Sequence, residues 1–118
     1  MIEGIAEVTY FVPDIEASWQ WFSDLTGAEL LLRFDGMIQG RVGQSIVTFH
    51  PADEKGPAGP GGQVVYWRVD NLDNVIHQFE LRGARRYRGP IRGVDGPMIA
   101  QMQDPFGNLW GLIEAHEG

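Results

Sequence analysis

Hydrophobic and polar positions along this chain change period from strand to helix to strand, and then repeat that order. Residues 5–12, Ile-Ala-Glu-Val-Thr-Tyr-Phe-Val, are rich in β-branched and aromatic side chains and predict a strand. Pro13-Asp14 opens a helix with Asp14 as its N-cap. Ile15, Ser18, Trp19, Phe22 and Leu25 recur at helical spacing along one face, and Gly27 is placed to end the helix in the left-handed conformation. Residues 30–34, 37–42 and 45–49 read as strands joined by turns at Asp35-Gly36 and Gly43-Gln44. Residues 51–63 carry Pro51, Gly56, Pro57, Gly59, Pro60, Gly61 and Gly62, the composition of a linker. The pattern then returns. Residues 64–69 predict a strand, Asp70-Asn71 a helix start, and Leu72, Val75, Ile76 and Phe79 its apolar face, with Gly83 ending it. Residues 85–88, 97–103 and 109–114 predict the last strands, with a glycine-rich loop at 89–96.

The two halves align directly. Glu7-Val-Thr-Tyr-Phe-Val-Pro-Asp lies over Val64-Val-Tyr-Trp-Arg-Val-Asp-Asn at an offset of 57, and Leu25-Thr-Gly-Ala over Leu81-Arg-Gly-Ala at 56. Gly43 to His50 lies over Gly107 to Glu114 at 64. A repeat of half the chain marks a duplicated β-α-β-β-β unit, in which neither copy buries its sheet alone. The expected organisation is one domain over 1–118, with unit one at 1–50, a linker at 51–63 and unit two at 64–118. The last strand is introduced by Asp104-Pro105-Phe106-Gly107-Asn108, which suits a type I turn: Asp at i, Pro at i+1, Gly at i+3.

Paired units of this order, with the stretch from Val12 to Phe22 at the first helix entry and Asp104-Pro-Phe-Gly-Asn before the last strand, resemble the vicinal oxygen chelate superfamily. That group includes glyoxalases, bleomycin-resistance proteins and extradiol dioxygenases. The resemblance implies an α+β fold in which the two tandem units form a curved mixed sheet around a cavity, often in a homodimer. It also implies four metal-ligand positions, which fall here on Glu7, Val47, Val64 and Gly111. Three of the four have no side-chain donor, and one carboxylate does not hold a divalent ion against water. A shifted register would offer His50 and Glu114 instead, but strand alternation sets these on the face opposite Val47 and Gly111. His77 and His116 read as solvent-exposed.

With Glu7 turned inward, alternation assigns Glu7, Thr9, Phe11, Phe49, Tyr66, Arg68 and Ile113 to the cavity as ligand-binding residues, beside Ser45, Val47, Val64, Leu109 and Gly111. Phe11, Phe49 and Tyr66 are suited to stacking on a flat ligand, and Glu7 and Arg68 to pairing or to binding opposite charges on it. The other face, with Val8, Tyr10, Val12, Val65, Trp67, Val69, Trp110 and Leu112, forms a core under the helices. Trp19 and Trp21 are two positions apart on one helix, so one of them is expected to mark a partner surface.

Composition narrows the function. A chain of 118 residues that is 43% hydrophobic and 21% charged is globular. Sixteen acidic against nine basic residues, net −7, argue against nucleic acid and anionic membranes as partners. No cysteine is present, which removes thiolate chemistry, and Ser18, Ser23 and Ser45 lie in no nucleophile motif. No signal segment follows Met1, so a cytoplasmic location is expected. No catalytic constellation, metal or cofactor is expected. The reading is a metal-free protein of glyoxalase/bleomycin-resistance type that binds a small organic, aromatic molecule. Its alternatives are a metal-dependent lyase, isomerase or dioxygenase with unusual ligands, and an accessory subunit with a vestigial cavity.

Overall fold

Both predicted repeats appear as β-α-β-β-β units in the computed structural model, which describes residues 1–94 and 96–114. The first contains β1 (Val8–Val12), α1 (Ile15–Thr26), β2 (Glu29–Phe34), β3 (Met37–Val42) and β4 (Ser45–Pro51). The second contains β5 (Tyr66–Val69), α2 (Leu72–Leu81), β6 (Arg85–Arg92), β7 (Met98–Gln103) and β8 (Leu109–Glu114). The architecture is α+β. Its strands hydrogen-bond as two four-stranded mixed sheets, ordered β1-β4-β3-β2 and β5-β8-β7-β6. In each, the first and last strands of the unit run parallel and the remaining pairs antiparallel. The chain divides into compact units at Met1–Ala58 and Gly59–Gly118, within the glycine- and proline-rich stretch.

Local signals account for the helix ends. The Asp14 side chain accepts from the Ala17 N–H at 3.0 Å, and Gly27 takes φ 70°, where a side chain would be strained. Asn71 caps α2 by accepting from the Asn74 N–H at 3.0 Å. In unit one the core is aromatic: Phe22 of α1 meets Phe49 edge-on at 5.4 Å, and Tyr10 stacks on Phe49 at 6.1 Å. In unit two Trp67 and Trp110 stack at 5.8 Å, and Phe79 of α2 reaches Trp110 at 6.4 Å.

Phe49 therefore belongs to the helix side, which corrects its expected place in the cavity. It is 1% exposed. Because β1 and β4 are parallel with Val8 opposite Val47 and Tyr10 opposite Phe49, those residues share one face. Thr48 and His50 turn the other way, opposite Thr9 and Phe11. The error has a physical source. Aligning Gly43 with Gly107 equates a two-residue turn, Gly43-Gln44, with a five-residue turn, Asp104 to Asn108, and shifts the last strand by one residue. In the observed register Thr9 faces Thr48 while its repeat partner Tyr66 faces Gly111, so the offset there is 63 rather than 64. Phe49→Ala is accordingly expected to cost about 3–5 kcal/mol of stability, measured by denaturant unfolding, instead of acting as a ligand-site variant.

Two further expectations change. Trp19 and Trp21 are both buried, at 7% and 9% exposed. On a helix, Ser18 and Phe22 fall between them on one arc of about 160°, and Ser18 is small enough for the ring-bearing positions on either side to be covered. The Trp19 ring also lies where any side chain at Gly40 of β3 would stand. In unit two, β6 continues through Gly89 and a cis Pro90 to Arg92 instead of giving way to a loop at 89. It does so through a break in register between Arg88 and Ile91.

Candidate functional site

Since the helices cover one face of each sheet, the residues available for chemistry are those on the other face. In unit one these begin with Glu7, just before β1. Its carboxylate accepts from the Thr9 hydroxyl at 3.0 Å on one oxygen and from the Gln39 amide at 3.1 Å on the other. The same Gln39 Nε2 donates to the Thr48 hydroxyl at 3.0 Å. Glu7, Thr9, Gln39 and Thr48 thus form one hydrogen-bonded cluster. Phe11 lies farther along the strand. Its ring meets His50 edge-on at 5.2 Å, and a side chain at Gly56 would collide with it at 2.6 Å. Phe11 is taken up by unit one's own chain, where the Asp53 carboxylate accepts from the Lys55 and Gly56 N–H groups.

His50 Nδ1 lies 2.8 Å from the Pro51 carbonyl oxygen. A carbonyl only accepts, so Nδ1 carries the proton and Nε2 is the basic nitrogen of the neutral ring. Alternation from the misaligned turn hid both Thr48 and His50. A signal for Gln39 was present, because it is a lone amide in the middle of a central strand; Gln101 shares central strand β7 with Gln103.

In unit two, Tyr66, Arg68, Gly111 and Ile113 occupy one face, with Tyr66 opposite Gly111 and Arg68 opposite Ile113. Gln101 is opposite Gly111 on the other side and donates to the Tyr66 hydroxyl at 2.9 Å. The Tyr66 ring fills the space over Gly111. A Cβ there would stand 2.8 Å from ring carbon Cδ1 and 2.8 Å from the Val65 carbonyl oxygen. Arg68 has no hydrogen-bond or ion-pair partner among the described residues.

These contacts test the metal positions implied by resemblance. Gly111 has no room for a side chain. Val47 is 0% exposed and faces the helix, and the residue turned the other way, Thr48, is a neutral hydroxyl that accepts from Gln39. Glu7 has both oxygens engaged. The alternative pair also fails. Glu114 accepts from the Leu72 N–H at 3.1 Å and serves the start of α2. His50 is on the same face as Glu7, but opposite Phe11, four residues along β1 and about 13 Å away at 3.3 Å per residue. Strand side chains stand roughly perpendicular to the sheet, so from backbone positions that far apart the two do not converge on ligand bonds of about 2 Å. No group of three metal-ligating side chains occurs among the described residues. The described residues do not fit a metal centre. His77 is exposed, and His116 lies outside the described residues.

The turn before β8 is a closed network. Asp104, 6% exposed, accepts on Oδ1 from the Phe106 and Asn108 N–H groups, both at 2.9 Å, and on Oδ2 from Trp110 Nε1 at 2.8 Å. Asn108 Oδ1 accepts from the Gly59 N–H at 2.8 Å. Burial pushes the Asp104 carboxyl above its ordinary range, against the hydrogen bonds, which pull it down. The motif is architecture: both Asp104 carboxylate oxygens and the Asn108 side-chain oxygen close the turn or tie down the chain.

Comparison with known proteins agrees with this layout. The family model of the glyoxalase/bleomycin resistance protein/dioxygenase superfamily matches residues 4–112. A family enzyme from Burkholderia phytofirmans PsJN superposes with a TM-score of 0.81 at 16% identity, covering 94% of this chain and 98% of that one. Lactoylglutathione lyase from Agrobacterium tumefaciens gives 0.74 at 20% identity, over 97% and 95%. The fosfomycin resistance protein FosX from Listeria monocytogenes, in complex with Mn(II) and sulfate, gives 0.81 at 13% identity, over 98% and 93%. At these identities the likeness is one of fold. No curated protein matches the sequence.

Proposed function

This chain belongs to the glyoxalase/bleomycin resistance protein/dioxygenase superfamily, and within it we propose a metal-free protein that binds a small organic molecule on the helix-free faces of its sheets. The observation that carries this reading is the Tyr66 ring over Gly111. At the position where the resemblance implies a metal-binding side chain, this chain has glycine with an aromatic ring packed on it and held by Gln101. Binding without bond-making needs only shape, apolar surface and a few directed polar groups. The Glu7, Thr9, Gln39 and Thr48 cluster supplies hydrogen-bonding groups in unit one, and Tyr66, Arg68 and Ile113 supply aromatic, cationic and apolar surface in unit two.

The reading includes a cytoplasmic homodimer with neither nucleic acid nor membrane as partner. No helix among the described residues is long and apolar enough to cross a membrane. Isothermal titration calorimetry with a panel of aromatic and aliphatic organic molecules tests the reading. Calorimetry is preferred to tryptophan quenching, because Trp67 and Trp110 belong to the helix side of the sheet. Saturable one-to-one heat with at least one class is the expected result; no heat from any class would support a vestigial site.

A further inference from the structure

Resting on the small-molecule reading above, we propose that the ligand of unit two is an elongated apolar carboxylic acid, with its carboxylate on Arg68 and its body along a row of isoleucines. The register defines that row. Ile91 of β6 lies opposite Ile99 of β7, Ile99 opposite Ile113 of β8, and Ile113 opposite Arg68 of β5. Opposed residues share a face, so three branched apolar side chains run across the sheet and end on a guanidinium. Three strand spacings make the row about 14 Å long. The ring of Tyr66 lies on the neighbouring row, with its hydroxyl accepting from Gln101, and the ring face offers the ligand an apolar flank. Ile91 is 47% exposed, which leaves the far end of the row open.

Charge points to an anion. The chain is net −7, yet the strands of unit two place Arg68, Arg85 and Arg88 on this face and no carboxylate. Arg85 is spent on Gln103 Oε1, at 2.6 and 3.0 Å. Arg33, Arg41 and Arg86 pair with Glu16, Glu29 and Glu80, and Arg92 donates to the Gly96 carbonyl. Arg68 and Arg88 have no hydrogen-bond or ion-pair partner among the described residues, and both are on this one face. A guanidinium presents parallel N–H donors that match a carboxylate, which is why a carboxylic acid fits better than a neutral ligand. Arg88, on the row beside, adds to the positive field without ending the apolar strip.

Calorimetry with 4-phenylbutanoate and octanoate, each beside its primary amide, tests this directly. The acids are expected to bind about tenfold more tightly than the amides, with the preference shrinking as salt rises. Arg68→Gln removes the preference, Arg88→Gln reduces it only partly, and Arg33→Gln, whose side chain pairs with Glu16 in unit one, leaves it unchanged. Far-UV circular dichroism and thermal melting confirm that each variant folds. Equal binding of acid and amide, or a preference that survives Arg68→Gln, overturns the carboxylate assignment while the small-molecule reading stands. Absence of binding by all four compounds, together with no binder in the wider panel, overturns both.

Discussion

Gly111→Glu, which installs a metal-binding side chain where the superfamily resemblance implies one, is expected to destabilise the protein by about 3 kcal/mol without creating a metal site. The new Cβ meets the Tyr66 ring and the Val65 carbonyl oxygen, each at 2.8 Å. The ring can rotate away only by giving up its hydrogen bond from Gln101, and the carbonyl is backbone. It also accepts from the Gly111 N–H at 2.9 Å, so it cannot move without breaking the pairing that starts β5. Overpacking a well-filled site costs about 1–3 kcal/mol, and a rigid neighbour puts this case at the upper end. Gly111→Ala meets the same two atoms and is expected to lose nearly as much. Urea unfolding of both variants checks the claim: a near-neutral alanine would mean that the space over Gly111 is open.

Asp104→Ala is expected to cost about 4 kcal/mol, the largest loss of any single polar deletion in unit two. Three N–H groups, those of Phe106, Asn108 and the Trp110 indole, lose their acceptor, and the latter two are buried. Asp104→Asn keeps an oxygen for the two backbone donors but turns an amide toward the indole N–H, and about half the loss is expected. Both changes also remove a pH dependence that the wild type has. Because burial raises the Asp104 carboxyl above 3.8, the folded chain binds its proton more readily than the unfolded chain. This group's contribution is therefore fully present below pH 3.8 and is lost as pH rises through the folded value. Asp104→Asn removes that fall, so the stability difference between wild type and variant narrows as pH rises through the window. Denaturant unfolding from pH 3 to 7 measures it, and a gap that widens instead would contradict the assignment.

Local chemistry was legible in the sequence because it acts within a few residues. Asp14, Gly27 and Asn71 cap helices where expected, and the repeat declared two units of one topology. The faces of β1, β5 and β8 followed from alternation. The face of β4 did not, because alternation carries no register of its own and the glycine used to set it stands in turns of different length. That single slip exchanged Phe49 for His50 and Val47 for Thr48. The Gln39 and Gln101 contacts depend on which strands are neighbours, which topology decides and composition does not. The burial of Trp21 beside Trp19 reflects how wide an arc of α1 is covered, a property of packing rather than of helical spacing.

The metal-free reading rests on the last strand, where the Tyr66 ring packs over Gly111 at the position for which the resemblance implies a metal-binding side chain. Inductively coupled plasma mass spectrometry on the protein, after loading with excess Mn, Fe, Ni and Zn in turn and exhaustive dialysis, tests it most directly. Well under one-tenth of a metal ion per chain is the predicted result for all four. Retention of any one of them at one ion per chain, lost on replacing Glu7 or His50 by alanine, would contradict it.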